Sequence, residues 1–139
     1  MEIPDTFHLE DNTSFKIEHD LDEQGALSIW FFGGLVTRHG DRFDRYLTHL
    51  EDLERLANDA SATHVHCHLE HLGEALSRAQ HAIYRMLHAM RAQGRAVTIY
   101  ATSEHPEQSE HLRMSRLFVA GVGKQPGPPV KVIEIRRAS

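Results

Sequence analysis

The sequence predicts an α/β domain: one mixed β-sheet with helices gathered mainly on one face. Three observations carry this. Near the start, two runs with strand character flank a turn signal, which reads as a hairpin. Beyond them, long runs of helical period alternate with short strand-like runs, the pattern of a partly parallel sheet with right-handed crossovers. The composition is ordinary for a globular domain, 40% apolar and 25% charged over 139 residues, which is enough chain for one core.

Residues 1–13 show no periodicity and are expected as a loop or edge extension. Residues 14–139 are expected as a single domain without internal repeats. Phe15-Lys16-Ile17-Glu18-His19 alternates apolar and polar and reads as the first strand. Asp22-Glu23-Gln24-Gly25 is a turn signal, and Ala26 to Phe32 is the second strand, ended by Gly33-Gly34. Asp41 to Asn58 reads as a helix, with Phe43, Leu47, Leu50, Leu53 and Ala57 at helical spacing. Thr63 to Leu69 is a third strand, with Val65, Cys67 and Leu69 on one face. A second helix is predicted from about Glu74 to Gln93. Leu76, Ala79, Ile83, Met86, Leu87 and Met90 form its apolar stripe, and Gly94 stops it. Ala96 to Ala101 is the fourth strand. Pro106 suits the first turn of a third helix reaching about Val119. A Gly- and Pro-rich loop, Gly121 to Pro129, leads to a last strand, Val130 to Ile135. The predicted order is β-β-α-β-α-β-α-β.

The formal net charge is −5, and no Lys/Arg cluster stands out. This argues against a nucleic-acid module that works by neutralising phosphates. Cys67 is the single cysteine, so no intrachain disulfide forms, as expected of a reducing compartment. Met1 to Glu10 lacks a basic flank followed by an apolar run, so no targeting segment is expected. No apolar stretch approaches the roughly 18 residues of a membrane span. These readings point to a cytoplasmic protein without membrane insertion. Twelve histidines are the unusual feature, because each can gain charge in mild acid.

Three stretches, in this order and spacing, resemble the STAS domain, the fold of the anti-sigma-factor antagonists, over about residues 14–119. Ala26-Leu27-Ser28-Ile29-Trp30-Phe31-Phe32-Gly33-Gly34-Leu35 looks like the family's second strand with its terminal Gly-x-Leu element. Val65-His66-Cys67-His68-Leu69-Glu70-His71-Leu72 looks like the strand that leads to the phosphorylation loop. Ala92-Gln93-Gly94-Arg95-Ala96-Val97-Thr98-Ile99 looks like the end of the following helix and the next strand. The last loop and strand also resemble those of biofilm-regulating phosphoproteins with this fold. The family motif, Asp-Ser-Ser/Thr-Gly at the start of the second helix, aligns with Ala75-Leu76-Ser77-Arg78 when counted back from Gly94. Counting forward from Leu69 shifts this by one residue, and either way Ser77 is the only hydroxyl there. The motif's aspartate and glycine are absent.

The resemblance implies a regulatory protein-binding module rather than an enzyme, with no cofactor. Its partner would be a signalling protein, such as an anti-sigma-like serine kinase or phosphatase. Ser77 is then the candidate phosphorylation site. A phosphate there would bring nearly two negative charges to a helix N-terminus, beside Arg78. The plain alternative is an exposed serine in the first turns of a helix. The candidate contact surface comprises Gly73, Glu74, Ser77, Arg78 and His81, with Leu35 and Arg38 from the neighbouring Gly34–Gly40 loop.

Two other functions stay open: a small-ligand or metal sensor on the His-bearing sheet face, and a small α/β enzyme of unstated reaction. His64, His66 and His68 alternate along one strand face, neighbours roughly 6.6 Å apart. A pair of them could share one ion, but no third or fourth ligand is identifiable, so no metal site is expected. Cys67 lies on the opposite, apolar face and reads as a buried thiol. Gly33-Gly34 lacks a full phosphate-loop pattern. Met86 and Met90 belong to the core stripe, and Glu107 and Glu110 suit the positive end of the third helix. No Ser-His-Asp arrangement or cofactor fingerprint stands out.

Overall fold

The structure is a computed structural model and describes residues 3, 5–9, 12–35 and 40–136. Among these, seven strands and three helices follow in the order β1 (Thr6–Leu9), β2 (Asn12–Leu21), β3 (Ala26–Leu35), α1 (Gly40–Asp59), β4 (His64–His68), β5 (Leu72–Ala75), α2 (Ser77–Ala92), β6 (Ala96–Ala101), α3 (Pro106–Val122) and β7 (Val130–Glu134). The expected order is present, with two short strands added to it: β1, inside the expected extension, and β5.

The hydrogen-bonded order across the sheet is β1-β2-β3-β4-β6-β7, and β5 pairs with the end of β3. β1, β2 and β3 are joined antiparallel, while β3, β4, β6 and β7 run parallel. The Asp22 side chain makes the hairpin turn, its Oδ1 accepting from the amides of Gln24 and Ala26 at 2.8 and 2.9 Å. Gly25, at φ 85°, takes the left-handed position. Each parallel step moves one strand over in the same direction. Right-handed crossovers therefore place α1, α2 and α3 on one face.

Alternation along the strands confirms that layering. Leu27, Ile29 and Phe31 of β3, Val65 and Cys67 of β4, and Val97, Ile99 and Ala101 of β6 are all buried on the helix side. All of these except Ala101 form one cluster with Tyr46, Leu50, Leu53, Ile83, Leu87 and Met90 of the helices. Each such apolar side chain contributes about 1.5–3 kcal/mol relative to exposure. Among the described residues, the opposite sheet face carries no helix.

Three element boundaries differ from the sequence expectation. Gly33-Gly34 does not end the second strand, which runs on to Leu35. The second helix begins at Ser77 rather than Glu74, because Leu72–Ala75 pairs with β3 instead (Gly33↔Leu72, Leu35↔Ala75). Glycine suits this close pairing: Gly33 takes a left-handed φ of 79°, and a Cβ on Gly34 would lie a tight 3.3 Å from the Glu74 oxygen. The third helix continues to Val122, past the expected Val119. Arg91 ties down the loop after it, donating to the carbonyls of Val122, Gln125 and Pro128 at 2.7–3.0 Å.

Two histidines, His49 buried and His19 half-buried, mark the β1 edge. His49 of α1 stacks on Phe7 of β1 at 4.5 Å, and its ring lies 6.5 Å from that of His19 on β2. His49 Nε2 and His19 Nδ1 are buried without a hydrogen-bond partner. Burial pushes the His49 imidazole down to about 4, assisted by His19 and opposed by Asp52. Burial lowers His19 as well. Among the described residues, no helix is long and apolar enough to cross a membrane.

Candidate functional site

The start of α2 is held by three neighbouring elements. β3 supplies its end, Gly33 to Leu35, with Gly33 at φ 79°. The Gly33 amide donates to His71 oxygen at 3.2 Å, and the Leu76 amide donates to Leu35 oxygen at 3.0 Å. α3 grips the same segment from the other side. Gln108 Nε2 donates to Glu70 oxygen at 3.0 Å, and His111 Nε2 lies 2.6 Å from Gly73 oxygen. A carbonyl only accepts, so Nε2 of His111 carries the proton and Nδ1 accepts from Gln80 Nε2 at 3.0 Å. From α1, the buried Tyr46 hydroxyl donates to Ala79 oxygen at 2.7 Å, inside the first turn of α2. The backbone from Leu69 to Ala79 is thus held by three neighbouring elements.

The side chains on this backbone are free by comparison. Ser77 is the first residue of α2 and is exposed. Leu76, the residue before it, is extended (φ −62°, ψ 145°) and gives the helix no side-chain cap. The first-turn amides therefore lack the acceptor that a capping Ser or Asp would provide. Glu74, Arg78 and His81 are exposed, and Gly73 is half-buried. The Arg78 guanidinium sits over the Phe43 ring of α1, 4.1 Å from its centroid.

Two expected contact residues do not join this group. Leu35 is 1% exposed, so its expected surface role is corrected to packing: the odd residues of β3 point toward the helices. Arg38 lies outside the described residues.

The other candidate was the histidine face of β4. His64 is exposed, while His66 and His68 are half-buried on the helix-free side. Each Nδ1 has a neighbour: Thr63 Oγ1 at 2.9 Å from His64, the Tyr100 hydroxyl at 3.0 Å from His66, and Glu70 Oε1 at 3.0 Å from His68. Burial lowers the His66 pKa, and His68 and His64 act in the same direction. Trp30, His68 and Tyr100 stand in register across β3, β4 and β6. Their rings stack at 4.9 and 4.4 Å, with planes 16° and 4° apart. His68 is sandwiched between the other two rings, so both of its faces are covered. The His64 and His66 centroids are 6.5 Å apart. Among the described residues, no three His, Cys, Asp or Glu side chains gather as a metal site. Cys67 is buried beneath this strand, and burial pushes its thiol pKa up.

Sequence reasoning did not find the Gln108–His111 clamp, the Trp30–His68–Tyr100 stack or the Glu70 pairing. The one available signal was positional: Trp30, His68 and Tyr100 all fall on the polar side of their strands. Which of them are neighbours depends on register.

No protein-family model matches the chain, and no curated protein matches it in sequence. Among solved structures, one described as "Structure of the Anti-Sigma Factor Antagonist SpoIIAA in its Unphosphorylated Form" is similar at 11% identity. The match covers 82% of this chain and 86% of that one, with a TM-score of 0.49.

Proposed function

We propose that this chain is a non-enzymatic, cytoplasmic regulatory module of the STAS type. It binds a signalling protein, such as an anti-sigma-like serine kinase or phosphatase, through the surface around the start of α2. The observation that carries this reading is the contrast at Ser77: an exposed, uncapped hydroxyl at the head of a helix, on a backbone braced by β3, α1 and α3. A preorganised backbone lowers the ordering cost of association, and a free side chain is open to contact or modification. The three sequence stretches that resemble the family flank this site.

Ser77 is the switch in this reading. Its phosphate would meet a helix N-terminus without a side-chain cap and the positive end of the helix dipole, and would place nearly two negative charges on the contact surface. A partner fitted to the neutral hydroxyl then dissociates. The test is capture from native lysate by wild-type, Ser77→Ala and Ser77→Asp proteins, with captured proteins identified by mass spectrometry. Wild type and Ser77→Ala are expected to retain the same signalling protein, and Ser77→Asp to retain less of it. Intact-mass spectra of protein from its host should place a phosphate on Ser77. Equal capture by all three, or phosphate found only elsewhere, removes the switch. No specific capture by wild type removes the binding module.

A further inference from the structure

The candidate surface continues along α2 as a stripe of one charge sign. Ser77–Ala92 contains no Asp or Glu, yet it carries Arg78, His81, Arg85 and His88. These four are spaced i, i+3, i+7 and i+10, so they lie along one side of the helix. All four are exposed. At 1.5 Å per residue the stripe is roughly 15 Å long, with Ser77 at its head.

The stripe is unbalanced from within the chain. Among the described residues, neither Arg78 nor Arg85 is paired with a carboxylate; the Arg78 guanidinium rests on Phe43 instead. This is unusual in a chain of formal charge −5. The exposed acids Asp41, Asp44, Glu51 and Asp59 lie on the neighbouring helix α1.

We infer that the exposed face of α2 is a docking surface for an acidic protein segment, with Arg78 and Arg85 supplying the charge and His81 and His88 supplying further polar contacts. The inference rests on the proposed binding role of the start of α2 and adds the partner's chemistry. Charge complementarity carries it: two unpaired guanidiniums on a rigid helix match carboxylates presented at helical or extended spacing. A nucleic acid fits less well. Two arginines neutralise few phosphates. The stripe also gives Ser77 a means of control, since a phosphate at its head would compete with the partner's carboxylates for Arg78.

The experiment uses the full chain and a fluorescein-labelled helical peptide of about 14 residues, roughly 21 Å long, with Glu at matching positions. A Gln-for-Glu peptide and a single-stranded RNA of similar length serve as controls. Binding is read by anisotropy at low and high salt, and mapped by backbone amide shifts. The expected result is saturable binding of the Glu peptide that weakens with salt, with shifts centred on residues 77–88. Arg78→Glu/Arg85→Glu should lose about tenfold or more in affinity, and Arg78→Lys/Arg85→Lys should keep most of it. Circular dichroism establishes that both variants are folded. Equal binding by wild type and the charge-reversed variant, shifts elsewhere, or tighter binding of the RNA would overturn the inference. The Ser77 capture assay reads the underlying proposal separately: Ser77-dependent capture without peptide binding sinks only the stripe. Peptide binding on α2 without any specific capture sinks only the regulatory module.

Discussion

Two groups of histidines sit on opposite sides of the same sheet and are held in opposite ways. Under β1, His49 and His19 lie on the helix side, each with a buried nitrogen that has no partner. On the open side, His64, His66 and His68 each have a neighbour at Nδ1, and the His68 ring is stacked against Tyr100. The first group depends on remaining neutral, because a buried charge without a partner is costly. In the second, every Nδ1 faces a side-chain partner. Histidine content alone therefore says nothing about a metal or a pH switch; the partners of each nitrogen decide. A third arrangement, His111, shows the same residue as a brace, with both nitrogens engaged and the backbone of the candidate site held by one of them.

The largest effect expected from this contrast is an acid sensitivity located at His49. Its pKa falls from 6.5 to about 4 in the folded chain, so below 6.5 the unfolded chain binds the extra proton first. Stability is full above that value, declines as pH falls, and stops declining through this group near pH 4. The shift corresponds to about 3 kcal/mol, with His19 adding in the same direction. Urea denaturation of wild type and His49→Phe at several pH values between 7 and 4 checks this. The variant should lose less stability over that range, and parallel curves would break the contrast.

The brace comes next. His111→Ala leaves Gly73 oxygen and Gln80 without their partner, at a cost of about 1–3 kcal/mol. More telling is where the loss appears: amide exchange should quicken around Gly73–Leu76 before the core strands β4 and β6 respond. A uniform loss would mean that His111 does not position the start of α2.

On the open face, His68→Ala removes a ring stacked on both Trp30 and Tyr100, at about 1–2 kcal/mol. Trp30 is the sole tryptophan, so its fluorescence reports this site directly, and an unchanged emission spectrum would count against the stack. The smallest effects belong to exposed groups. His64→Ala and Ser77→Ala should each change stability by about 0.5 kcal/mol or less in urea denaturation. A larger loss at Ser77 would place it in the framework and against a switch.

Much of this architecture could be read in advance because period is a local property. Alternation in Phe15–His19, the stripe from Leu76 to Met90 and the punctuation at Gly25, Gly94 and Pro106 predicted element types and order. Side chains within a few residues of each other set those patterns. Val65, Cys67 and Leu69 were assigned to the buried face on the same ground, and they lie there.

The candidate site was legible only as a position. Ser77 could be placed near the head of a helix by counting, but what surrounds it could not. Glu74 and Ala75 were expected in the second helix, yet Leu72–Ala75 pairs with the end of β3, where Gly33 takes a left-handed φ and Gly34 comes close to Glu74. Leu35 moved from surface to core once β3 ran through its glycines. The grip of Gln108 and His111 on Glu70 and Gly73 spans 38 residues in each case. Sequence alone determined which face α1, β4 and α2 would bury, because that follows from spacing along the chain. Register and helix placement decided which side chains became neighbours, because those contacts join residues that no local pattern connects.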